Sequence, residues 1–161
     1  MKMKLTNADD IYFDGTYISN GHTIIRVDAC QLTIPKQIHP AFYSKTPFVY
    51  KNKTIHDGTM MPDLQGIYRR IAESTDKTEL IDINLMWSDG RYNVRLLRME
   101  DKLVGIDVGY WEAITASLYM PDKLFFANNF IYNEDVCVVA PMLLPEDDQY
   151  VRALRNFVAT L

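Results

Sequence analysis

Three histidines, His22, His39 and His56, are the first places in this sequence to look for chemistry. An imidazole can move a proton near neutral pH or hold a metal ion, provided other groups orient it. His56 precedes Asp57 and Gly58, a trio that reads either as a base with its carboxylate or as a tight turn. His22 directly follows Asn20-Gly21 in "TYISNGHTIIRV", where a turn residue is the simpler reading. All three lie in or beside loops at irregular spacing, so no metal-ligand set converges. The paired H-x-T pattern of phosphoesterases is absent, because Ile24 and Gly58 stand two residues after His22 and His56. A hydrolase or a small-ligand sequestering protein would have to use His22, His56 and Asp57.

Other catalytic patterns are missing as well. The chain contains no G-x-S-x-G, no P-loop and no H-E-x-x-H. Acidic residues cluster at Asp9-Asp10, Glu100-Asp101, Glu134-Asp135 and Glu146 to Asp148, and these read as turns, solvated faces or a helix start. Cys30 and Cys137 form no C-x-x-C pair, and Cys137 within "VCVVA" reads as a buried thiol. A Cys30–Cys137 disulfide has no support in the pattern. The expectation is therefore a protein that is not an enzyme, with no catalytic residues, no cofactor and no metal.

Arginines are better organised. Arg91 and Arg95 fall on one face of a strand, and Arg69-Arg70 on the helix before it, a set that could contact phosphates. The formal net charge is -4, which argues against binding nucleic acid through bulk charge. The other group with binding potential is apolar: Tyr110 and Trp111, followed later by Met142, Leu143 and Leu144. Aromatic and aliphatic side chains gathered in a groove are the usual anchors of peptide recognition.

These residues need elements to hold them. At 161 residues, with 48% hydrophobic and 24% charged, the chain has the size and composition of one globular domain. Asp14-Gly15 and Asn20-Gly21 punctuate a β-meander over the first thirty residues. Pro35, Pro40 and Pro47 break the next stretch, leaving room for one helical turn before a hairpin over 47–58 that turns near Lys51-Asn52. "MPDLQGIYRRIAEST" predicts a helix over 61–75 with Leu64, Ile67, Tyr68 and Ile71 inward, beginning either near Pro62 or at Gly66.

Residues 79–108 predict a run of strands turning at Asp89-Gly90 and again at Glu100-Asp101. Ile81, Ile83 and Leu85 alternate there with Asp82, Asn84 and Met86, and Tyr92, Val94 and Leu96 form the apolar face of the return strand. A short helix over 109–118 with Tyr110 or Trp111, Ile114 and Leu118 inward follows, then strands at 123–127 and 135–143. Last comes an acid-initiated helix over 145–161 with Val151, Leu154, Val158 and Leu161 inward. The sum is an α+β fold, mainly antiparallel sheet with short helices. The lysine-bearing "MKMKLTNADD" lacks the apolar core of a signal peptide, and no apolar run is long enough to cross a bilayer, so a cytoplasmic protein without membrane partners is expected.

Three segments in order resemble the DNA sliding clamps of bacteria, the beta subunit of DNA polymerase III. "ISNGHTIIRV" is similar to the clamp's "TDGHRLA" strand-turn-strand, and "HDGTMMPDLQGI" to its "G-x-[FY]-P-[DN]" segment. "GIDVGYWEAI" with "DVCVVAPMLL" is similar to the helix and closing strand of its last domain. The resemblance implies a single clamp-like domain over 1–161 with the helix at 145–161 appended. It implies a structural role for His22, and a peptide pocket near the last strand at Tyr110, Trp111, Met142, Leu143 and Leu144. A clamp ring has several such domains, so this chain would self-assemble into a homo-oligomer. The expected role is a protein-interaction module, encoded by a phage or mobile element and acting on host replication or defence proteins. The alternative it implies is a self-assembling processivity ring contacting DNA through Arg69, Arg70, Arg91 and Arg95.

Overall fold

Asp14 closes the first reversal: its Oδ1 accepts from the backbone N–H groups of Thr16 at 2.8 Å and Tyr17 at 2.6 Å. Asn20 does the same for His22 and Thr23 at 3.0 and 3.1 Å. Such side chains satisfy the donors a tight turn leaves open, which is why Asp and Asn mark turns in the sequence. A computed structural model describes residues 2–116, 123–133 and 137–161 of the chain.

The elements, in order, are β1 (Lys2–Lys4), β2 (Ile11–Phe13), β3 (Tyr17–Ser19), β4 (Thr23–Arg26), β5 (Gln31–Thr33) and α1 (His39–Tyr43). Then come β6 (Phe48–Lys51), β7 (Thr54–Asp57), α2 (Leu64–Ala72), β8 (Thr78–Ser88), β9 (Asn93–Met99), β10 (Lys102–Asp107) and α3 (Val108–Thr115). The last are β11 (Leu124–Ala127), β12 (Phe130–Asn133), β13 (Cys137–Val139) and α4 (Gln149–Ala159). The fold is α+β with a mainly antiparallel sheet and a C-terminal helix. The backbone gathers into two compact units: Met1–Glu73 with Glu134–Val138, and Ser74–Asn133 with Val139–Leu161.

In the first unit the strands run in the order β4-β3-β2-β6-β7, each antiparallel to its neighbour. β1 and β5 form a separate parallel pair, which the meander reading did not anticipate. Ile11, Phe13, Ile18, Ile25, Phe48 and Tyr50 are buried. α2 lies over β3, with the Tyr17 and Tyr68 rings 4.8 Å apart. Asp63 caps α2 by accepting from Gly66 N–H at 3.0 Å, so Pro62 precedes the cap instead of opening the first turn. Leu64, Tyr68 and Ile71 are the buried face.

The second unit has the order β10-β9-β8-β11-β12. The β8 alternation breaks at a bulge: Asp82 pairs with Leu97, yet Leu85 pairs with Leu96, and Asn84 between them has φ +58°. Ile83 packs against the core while Ile81 and Leu85 stay exposed. The irregularity sets two extra residues, Ile83 and Asn84, into β8, so Ile81 and Leu85 keep the same facing on either side of it, opposite Arg98 and Leu96. β12 is a second departure. Asn128 and Asn129, both at positive φ, turn the chain from β11 into a strand that lies between the two expected at 123–127 and 135–143. Leu118, Tyr119 and the beginning of the strand expected over 135–143 fall outside the described residues.

The two sides of the β8–β10 sheet are both covered. Val94 and Leu96 form a core with Leu144 and Val151, so the chain before α4 and α4 itself lie on that side. Arg95 and Leu97 alternate with them and meet α3 on the other side, where Arg95 lies 5.3 Å from the Trp111 ring. Asp148 caps α4, accepting from Tyr150 and Val151 N–H at 2.9 and 3.0 Å.

Candidate functional site

The three histidines sit on separate parts of the fold. His22 is an exposed turn residue whose backbone, not its ring, is engaged. His39 opens α1 and its Nε2 lies 3.2 Å from the Ile34 carbonyl oxygen. His56 sits on the exposed edge strand β7. Its neighbour Asp57 is occupied as a turn cap: the carboxylate accepts from Thr59 Oγ1 at 2.5 Å and Thr59 N–H at 3.1 Å, and these bonds hold its pKa below the ordinary value. Among the described residues no group of three or more His, Cys, Asp or Glu side chains is arranged to hold a metal ion. Cys30 and Cys137 are both free thiols. Partial burial pushes the Cys30 pKa up, the opposite of what a nucleophilic thiol needs.

The arginines separate. Arg69 and Arg70 are exposed on α2 in the first unit, and Arg91 and Arg95 belong to the second. Arg91 lies in the β8–β9 turn ahead of β9, with its guanidinium 5.0 Å from the Tyr92 ring. Arg95 is committed internally. It donates to both Asp82 oxygens at 2.8 and 2.7 Å and to Asn84 Oδ1 at 2.9 Å. A guanidinium neutralised by a bidentate carboxylate has little charge left for phosphate.

The apolar set divides in a different way. Tyr110 and Trp111 are half-buried on α3, on the Arg95 side of the sheet. Met142, Leu143 and Leu144 come together on the opposite side, in one cleft of about 230 Å³. Its other walls include Leu103, Phe126 and Pro141, with Glu146 and Arg155 at the rim. Leu143 is 93% exposed. Met142 is held by a single bridge to β10, its N–H donating to the Gly105 carbonyl at 2.9 Å.

Gly105 is what lets this segment approach. A Cβ there would stand 2.6 Å from Val94 Cγ1 and 3.2 Å from the Met142 carbonyl oxygen. The Glu146–Arg155 pair is long, at 3.8 Å, and Glu146 is largely solvated, so both polar groups can turn toward an incoming chain.

A second apolar surface escaped the sequence reading. At about 3.6 residues per turn, Tyr150 and Phe157 share the flank of α4 next to its buried stripe, and Leu161 follows just past the helix end. They are 66%, 58% and 63% exposed. Leu161 therefore lies outside the buried stripe, which consists of Val151 and Val158 with Leu154 half-buried. The signal was present in the spacing of Tyr150, Leu154, Phe157 and Leu161. It was hidden because the same helix carries a stronger stripe one position away.

Among the described residues no helix is long and apolar enough to cross a membrane. Set beside known proteins, the chain matches no family model, no curated protein and no solved structure.

Proposed function

We propose that this protein is a non-enzymatic interaction module that captures an extended, apolar segment of a partner protein at the cleft formed by Leu103, Phe126 and Met142 to Leu144. One observation carries the reading: a nearly fully exposed leucine, Leu143, stands at the lip of an apolar cleft. A lone exposed leucine is ordinary, but one continuous with a recess wide enough for a side chain is an anchor site. The rim pair Glu146 and Arg155 supplies an acceptor and a donor for the backbone of a captured segment. The resemblance to clamp domains makes replication proteins the first partners to offer.

The test is selection from a library of random short peptides, followed by titration of the winners. Peptides with a large aliphatic or aromatic anchor should bind the parent protein. Leu143→Asp should weaken them about tenfold or more, since it places a charge where an apolar anchor docks. Trp111→Phe, on the other side of the sheet, should bind them as the parent does. Equal binding by the Leu143→Asp protein would sink the assignment, as would a selection that enriches nothing.

A further inference from the structure

The first unit contains a cleft of different character, about 350 Å³ in volume, near the lower end of the size of small-molecule sites (~300–1,000 Å³). Its apolar walls are Phe13, Val27, Phe42 and Tyr43. Phe13 and Phe42 meet at 5.0 Å and 41°, and Phe42 and Tyr43 at 5.4 Å and 77°. Tyr43 is 72% exposed, so the aromatic wall continues out into solvent. Two lining residues are charged, Lys45 and Asp28, and they are of opposite sign.

Lys45 is placed at the cleft by the end of α1. α1 ends in a Schellman motif: Thr46 N–H donates to the Ala41 carbonyl at 3.0 Å and Lys45 N–H to the Phe42 carbonyl at 3.1 Å. This motif puts its closing residue in the left-handed region, normally a glycine position. Lys45 occupies it at φ +57°. Its carbonyl oxygen lies against Gly15, where a Cβ would stand only 3.2 Å away. Among the described residues Lys45 makes no ion pair. Asp28 gives one oxygen to Arg26 Nε at 2.8 Å and keeps the other without a hydrogen bond among the described residues.

We propose that this cleft binds a free aromatic amino acid. The ring packs against Phe42 and Tyr43 over a floor closed by the buried Phe13, the carboxylate pairs with Lys45, and the ammonium pairs with Asp28. A residue inside a polypeptide has neither charge, so the site distinguishes the free amino acid from the same side chain on a protein.

Calorimetric titration with L-tryptophan, tryptamine and indole-3-propionate tests this directly. L-Tryptophan should bind the parent protein most tightly, with each singly charged analogue about tenfold weaker, the size of one charge-assisted contact. Lys45→Gly removes the ammonium and installs the residue the backbone prefers, so it should unfold at the same or a higher temperature than the parent. It should nevertheless bind L-tryptophan no better than tryptamine. Asp28→Asn should likewise erase the preference over indole-3-propionate. The inference is overturned if L-tryptophan shows no saturable binding into the millimolar range, or if both variants keep the parent's order of affinities. Because all these residues belong to the first unit, such a failure would leave the peptide reading of the Leu143 cleft untouched.

Discussion

Arg95 shows how a residue selected for its chemistry can be spent on structure. From the sequence it is a cation on a strand, available to phosphate. In the fold it is gripped by Asp82 and Asn84 and lies against Trp111. The hydrogen bond from Arg95 is the main cause that holds the Asp82 pKa below its usual range; burial opposes it. A depressed folded-state value means the pair stabilises the fold fully above the unfolded aspartate pKa of about 3.9. That stability is lost as pH falls through the lower, folded value. Asp82→Asn should therefore cost about 1 kcal/mol at pH 7 and progressively less in acid. Urea unfolding of both proteins at pH 7 and pH 3 measures it, and a gap that stays constant between the two would refute the pairing. Asn133 is the contrast: its amide is buried, 1% exposed, and makes no hydrogen bond among the described residues. Unmet buried amides cost about 1–3 kcal/mol.

The reversals marked by Asp-Gly and Asn-Gly in the sequence are the ones the structure makes, because those pairs carry their own physical reason to turn. β2 and β3 begin and end where Asp14-Gly15 and Asn20-Gly21 required. Elements without such markers were harder to see. The β11–β12 hairpin turns on two asparagines, and the β8 bulge turns on Asn84, so both lack the glycine that announces positive φ. The apolar site was half legible. Met142 to Leu144 form a cleft as their composition suggested, but only the alternation of β9 reveals that Trp111 faces the other way. The β6–β7 hairpin also turns without glycine, through Asn52 at φ +50° and Lys53 at φ +58°. Positive φ at both central positions is the type I′ requirement, for which Asn-Gly is the preferred pair. Lys53→Gly should accordingly raise stability by about 1 kcal/mol, seen as a higher urea midpoint. An unchanged or lower midpoint would show that the turn does not hold this conformation in solution.

Self-association is where the surfaces of the protein must be weighed against one another. β7 offers an open sheet edge with all four residues exposed, but Ile55 is its one large apolar side chain. Edge pairing of so short a strand supplies few hydrogen bonds and little buried apolar area. The α4 flank offers Tyr150 and Phe157, with Leu161 just past the helix end, and large side chains at helical spacing are the form in which helices pack against helices. Burying three such residues contributes several times more than burying one, at about 1.5–3 kcal/mol each. If copies of this chain associate, the α4 flank should dominate. Sedimentation across a range of concentrations should then show a mass that rises with concentration in the parent protein. Phe157→Glu should hold the mass at that of one chain, and Ile55→Lys should leave the parent's behaviour unchanged. A reversal of those two results would place the contact on the sheet edge instead, which is the geometry a clamp-like ring requires.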